Sequence, residues 1–117
     1  MKRGTTRRVD DGRAPLPAEE IPRYAEVLKA LGSTARLAII NRLAARESTV
    51  SELCELTGLK QSLVSQQLKI LRLSGVVQGR KGSHHTYYRL RDRSVIRMLS
   101  CLGRCSSMQS AVESRSE

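Results

Sequence analysis

Between residues 49 and 73, two short runs with helical apolar spacing are separated by only four residues, Thr57-Gly58-Leu59-Lys60. In the first run Val50, Leu53 and Leu56 face inward, Ser48 or Thr49 can cap the start, and Gly58 ends it. The second begins near Gln61 and reaches about Leu73, with Leu63, Val64, Leu68, Ile70 and Leu71 as its apolar set and Ser74-Gly75 as terminator. Two helices at that separation have helix-turn-helix spacing.

The flanking pattern completes an architecture. Residues 18–31 place Ile21, Tyr24, Ala25, Val27, Leu28 and Leu31 close to a 3.6 period before Gly32 stops the helix. Ser33 is a good N-cap for a second helix over 34–45, in which Leu37, Ile40, Leu43 and Ala44 face a core while Arg36, Arg42 and Arg46 stay in solvent. Residues 47–49 connect it to the paired helices. After them, Val76-Val77-Gln78 and residues 86–90 are β-prone, and Gly79-Arg80-Lys81-Gly82-Ser83 forms a basic tip between two hairpin strands. Asp92 caps a last helix running to roughly Met108, with Val95, Ile96, Met98, Leu99 and Leu102 as a broad apolar surface. The order α-α-α-α-β-β-α predicts a mainly α fold with a β-hairpin wing, a winged helix-turn-helix. Residues 18–108 form that domain, 1–17 read as a disordered basic arm, and 109–117 as a flexible tail.

At 117 residues the chain suits one domain, and its charge points to a polyanion. Residues 60–97 hold nine Lys and Arg against Asp92 alone, so this stretch carries +8 of the net +10. Aromatic residues are only 3%, too few for base-stacking platforms, which argues against a single-strand binder. The basic residues lack the bulky apolar anchors of a membrane-surface helix, and no apolar run approaches the roughly 20 residues of a bilayer span. Nor does an apolar segment follow the basic start, so a cytoplasmic location is expected. Ser-His-Asp, paired-carboxylate, phosphate-loop and H-E-x-x-H patterns are absent, which disfavours an enzyme.

Duplex DNA is the remaining partner. The DNA-facing set on the second paired helix is Gln61, Ser62, Ser65, Gln66, Gln67 and Lys69, where Gln suits an adenine edge, Ser a base or phosphate, and Lys a phosphate. On the hairpin, Arg80, Lys81, His84 and His85, with Arg89, would lie along the backbone or in the minor groove. The bland alternatives are an ordinary polar helix face and a solvated basic loop. Adjacent histidines in a strand point to opposite faces, so His84 and His85 are poorly placed to share a metal ion.

Several of these segments together resemble the ArsR/SmtB family of bacterial repressors. They are residues 28–37 (LKALGSTARL), 51–56 (SELCEL), 61–72 (QSLVSQQLKILR), 74–77 (SGVV), Gly82, and 87–90 (YYRL). The resemblance implies a homodimer, joined through the first and last helices, that binds an inverted-repeat operator and leaves it when an inducer is sensed. It also implies where metal sites would lie. Cys54 matches only the last cysteine of the family's arsenic-type motif, with Thr49 and Ser51 at the two earlier positions. On the last helix, Asp92 and Cys105 fall near the zinc-type site, but Ser94 and Met108 replace its His and Glu.

Three cysteines cannot all pair within one chain, and none lies in a C-x-x-C knuckle. Cys101 and Cys105 are four residues apart, on one face of a continuous last helix, near Arg97 and Arg104, which favour thiolate. With Cys54 or a partner chain's cysteines they could take up As(III) or another thiophilic ion, or undergo oxidation or persulfidation. Alternatively Cys101 is a small apolar packing residue and Cys105 is incidental. Two functions from different classes therefore stand beside the repressor with a thiol sensor. One is a redox or thiophilic-metal-binding protein whose DNA contact is secondary; the other is a regulator of this type with no metal or thiol sensing.

Overall fold

The computed structural model describes residues 16–105. A single 3-10 turn, Ala18–Glu20, leads into helices α1 (Ile21–Leu31), α2 (Thr34–Ala45), α3 (Val50–Thr57) and α4 (Gln61–Leu73). Strands β1 (Val77–Lys81) and β2 (Thr86–Leu90) and helix α5 (Ser94–Arg104) follow. The tail 109–117, and the arm apart from Leu16 and Pro17, lie outside the described residues.

Local chemistry sets the helix limits. Ser33 Oγ accepts from Arg36 N (3.3 Å) at the start of α2. At α3, Thr49 Oγ1 accepts from Glu52 N (3.2 Å) while Glu52 Oε1 accepts from Thr49 N (2.9 Å), a reciprocal capping box. Gly58 closes α3 at φ 77°, where a side chain would be strained, and donates to Cys54 O (2.9 Å). Gly75, at φ 79°, ends α4: its N–H donates to Arg72 O (3.0 Å) and that of Val76 to Leu71 O (2.9 Å), the paired bonds of a Schellman turn.

With Thr49 as the cap, Ser48 has a different role. It is fully buried, and its backbone exchanges two hydrogen bonds with Tyr88, N to O at 3.1 Å and O from N at 2.8 Å. The connection between α2 and α3 is thereby stitched to β2. The antiparallel hairpin pairs Val77 with Leu90 through Lys81 with Thr86, so its tip is 82–85 rather than 79–83. Gly79, Arg80 and Lys81 are strand residues despite their weak β propensity, because Tyr88, Tyr87 and Thr86 stand opposite them. A Cβ at Gly79 would lie 3.1 Å from Thr86 Cγ2 and 3.3 Å from the Tyr88 ring, so the glycine admits that cross-strand packing.

The core consists of Leu31, Ile39, Ile40, Leu43, Leu53, Val64, Leu68, Leu71, Val76, Val77 and Leu90. Two expected core positions differ. Leu37 is exposed and Ile39 takes the buried place in α2, while Leu56 is 42% exposed on α3. Arg36, expected in solvent, is half-buried: its guanidinium donates to Ala30 O, Lys29 O and Gln67 Oε1. In α5 no residue is fully buried; Val95, Ile96 and Leu99 pack on the core, whereas Met98 and Leu102 are exposed.

Helix α5 is tied at its start. Arg93 Nη2 donates to Ala44 O (2.9 Å), and Asp92 Oδ1 accepts from Ser94 N (2.9 Å). That backbone hydrogen bond, with the nearby Arg97 charge, holds the Asp92 carboxyl below the usual carboxylate range. The helix ends at Arg104, and Cys105 has left it for extended backbone (φ −79°, ψ 106°); the rest of the stretch expected to reach Met108 lies outside the described residues. Among the described residues, no helix is long and apolar enough to cross a membrane.

Candidate nucleic-acid interface

Helix α4 is two-sided because its inward positions are apolar and its outward ones short and polar. Val64, Leu68 and Leu71 are buried, while Gln61, Ser62, Ser65, Gln66 and Lys69 are exposed. Gln67 is the exception and a correction. It is only 9% exposed, and its Oε1 accepts from Arg36 Nη1 (2.7 Å), so its side chain belongs to the interior and is withdrawn from the DNA-facing set. Gln66 and Gln67 are chemically alike; 100° of helix rotation puts one outside and one inside.

The hairpin carries Arg80, Lys81, His84, His85 and Arg89, all exposed. The two histidines sit in the tip, not in a strand, so strand alternation does not separate them. They share a groove of about 310 Å³ with Thr49, Val50, Ser51, Gln61, Thr86 and Tyr88. This groove joins the start of α3, the start of α4 and the wing tip.

Two wing cations are held in place by neighbours. Arg80 Nη2 lies 2.7 Å from Glu47 Oε1, and its guanidinium sits 4.9 Å from the centre of the Tyr87 ring. The hydrogen bond from Arg80 lowers the Glu47 carboxyl below its ordinary range and strengthens the proton hold of Arg80 in return. With its carboxamide oxygen turned toward Arg89, Gln78 accepts from Arg89 Nε (2.9 Å) and Nη2 (2.6 Å). The sequence pattern gives no site role to Glu47, Tyr87 or Gln78, and it places Arg36 in solvent. The cross-strand register, which brings Arg80 opposite Tyr87 and Gln78 opposite Arg89, could have pointed to Tyr87 and Gln78; Glu47 and Arg36 are reached only through contacts between distant elements.

The cysteines are dispersed over two helices and a helix end. Cys54 is half-buried on α3 against the core, Cys101 is exposed on α5, and Cys105 is half-buried just beyond the end of α5. Because the helix stops at Arg104, Cys101 and Cys105 are not successive turns of one continuous helix face, as the spacing predicted. Among the described residues, no group of three or more His, Cys, Asp or Glu side chains could hold a metal ion.

A family model described as "Bacterial regulatory protein, arsR family" matches residues 33–78, from the cap of α2 into β1. The chain is 40% identical over 79 residues to the HTH-type transcriptional repressor SmtB of Mycobacterium tuberculosis, a match covering 68% of this chain and 58% of that protein. It is 36% identical over 96 residues to the biofilm growth-associated repressor of Agrobacterium fabrum, covering 80% and 82% respectively. In three dimensions it resembles a homodimeric winged helix-turn-helix DNA-binding domain from Mycobacterium bovis, a possible ArsR-family transcriptional regulator. That likeness has a TM-score of 0.67 at 29% identity, over 80% of this chain and 86% of that one. The segment matched by the family model contains the paired helices and enters the first wing strand, and the relatives are transcriptional regulators, not enzymes. The chain therefore belongs to the arsR family of bacterial regulatory proteins.

Proposed function

We propose that this chain is a transcriptional repressor that binds an inverted-repeat DNA operator as a homodimer in the cytoplasm. The observation that carries this reading is the two-sidedness of α4. Its exposed Gln61, Ser62, Ser65, Gln66 and Lys69 are backed by buried Val64, Leu68 and Leu71, and the basic wing lies beside its start. In this reading α4 enters the major groove, where Gln66 contacts a base edge. Arg80, Lys81, His84 and His85 meet the backbone. The domain spans 18–108, with 1–17 as a basic arm and 109–117 as a tail.

The second subunit covers the apolar surface that one chain leaves exposed. Ile21 and Leu28 on α1, and Met98 and Leu102 on α5, are large exposed hydrophobics. Between the two helices runs an open, largely apolar groove of about 740 Å³.

The test compares a duplex enriched from a random pool by the native protein with a scrambled duplex. Gln66→Ala should lose about 1–3 kcal/mol on the enriched duplex and little on the scrambled one. Arg80→Ala should weaken both similarly and lower the salt slope by about one per subunit. Equal losses on both duplexes in both variants would refute the placement of α4.

For the inducer, we propose sensing through the thiols of Cys54, Cys101 and Cys105, by As(III) or another thiophilic ion, or by oxidation or persulfidation. Support comes from the exposure of Cys101 on α5, one of the two helices of the dimer face. A Cys101→Ser, Cys105→Ser double variant should bind the enriched duplex normally but no longer release it on addition of As(III) or a sulfane-sulfur donor. Release at unchanged concentration would move the sensor to Cys54 or remove it. A regulator without thiol or metal sensing is the second reading, favoured by the dispersal of Cys54, Cys101 and Cys105 over α3, α5 and the end of α5.

A further inference from the structure

Arg36 occupies a junction of three helices. Its backbone N–H takes the Ser33 cap of α2, and its side chain turns back to α1. There Nε donates to Ala30 O and Nη2 makes a long contact to Lys29 O (3.5 Å). Both carbonyls are among the last four of α1, beyond the reach of the helix's own i→i−4 bonds, and Lys29 O also accepts from Gly32 N at the cap (3.3 Å). The remaining arm of the fork, Nη1, donates to Gln67 Oε1 on α4 at 2.7 Å. Gln67 is nine-tenths buried and has no route to a base.

The position of Gln67 on α4 is what gives this contact a function. Its inward side chain lies one residue beyond Gln66, so anything that holds Gln67 also sets the rotation of α4 about its axis. Rotation decides where Ser62, Ser65, Gln66 and Lys69 point. Burial of Val64, Leu68 and Leu71 fixes which face of α4 is inward, and a charge-assisted hydrogen bond from a planar fork adds a directional restraint on the final small rotation. The fork's other end grips α1, a helix of the proposed dimer face.

We infer that the Arg36–Gln67 bond is a positioning contact for operator reading, holding α4 in fixed orientation relative to α1. It rests on the reading of α4 as the base-contacting helix. Arg36 and Gln67 are positioning residues and touch no DNA; their loss costs discrimination between sequences more than grip on the backbone.

The test uses the full chain and the same enriched and scrambled duplexes, with thermal unfolding measured in parallel. Gln67→Leu keeps the volume but removes the acceptor, and should lower the ratio of enriched to scrambled affinity about tenfold. Gln67→Glu retains an acceptor oxygen for Arg36 and should restore the ratio to within about twofold of native. Gln66→Ala runs beside them. If Gln66→Ala loses the ratio and Gln67→Leu does not, the inference fails and the reading of α4 stands. If Gln66→Ala keeps the ratio, the reading of α4 fails and the inference with it. A Gln67→Glu variant that falls as far as Gln67→Leu also overturns the inference. Should Gln67→Leu not fold, Arg36→Lys decides: a single ammonium lacks the fork to span Ala30 O and Gln67 Oε1. Its ratio should fall about tenfold too, and an unchanged ratio overturns the proposal.

Discussion

A Met98→Glu, Leu102→Glu double variant is expected to be monomeric at micromolar concentration and to lose at least about a hundredfold in affinity for the enriched duplex. Within one chain both side chains are already exposed, at 38% and 47%, so the substitutions should leave the fold's circular dichroism intact. In a dimer closed through α1 and α5 they would bury two carboxylates per subunit against an apolar partner surface. An unpaired buried charge costs several kcal/mol even after relaxation, more than a modest interface can absorb. DNA affinity then falls because each half-site loses the effective concentration supplied by its linked neighbour. Sedimentation that shows an unchanged dimer would place the interface elsewhere on the surface.

Leu53→Ala is expected to destabilise the chain by about 2–5 kcal/mol in chemical denaturation, against less than about 1 kcal/mol for Leu56→Ala. Leu53 is 0% exposed within a core that includes Ile40, Leu43 and Val64, and its truncation leaves a cavity where three helices meet. Leu56, one turn along the same helix, is 42% exposed and has little packing to lose. Since α3 is the platform on which α4 rests, Leu53→Ala should also weaken operator binding at temperatures where the native protein is unaffected. Similar losses for the two leucines would mean that α3 packs through a wider face than described.

That pair of leucines shows where sequence reading stops. Helical periodicity treats Val50, Leu53 and Leu56 as one inward stripe, yet a short helix resting on the core seals only the positions directly above it. Likewise Leu37 and Ile39 exchange roles on α2, because burial depends on where α3 and α4 lie, not on apolar character alone. The hairpin tip moved from 79–83 to 82–85 for a related reason: cross-strand tyrosines extend β1 through residues of poor β propensity.

What the sequence determined by itself is local. The element order and the limits of α2, α4 and β2 follow from caps, glycines and periodicity, since these act within a few residues of chain. The basic stretch between 60 and 97, and the expectation of a polyanionic partner, follow from composition. Tertiary structure alone decided which partners the polar residues meet. Gln66 and Gln67 are the same amino acid in adjacent positions; helix rotation puts Gln67 on the buried stripe of Val64, Leu68 and Leu71, and Arg36 from α2 supplies its partner there. It also paired Arg80 with Glu47 across 33 residues, and it ended α5 before Cys105. Long-range contacts of this kind are invisible to a one-dimensional pattern because no residue carries a signal for a neighbour that reaches it only after the chain has folded.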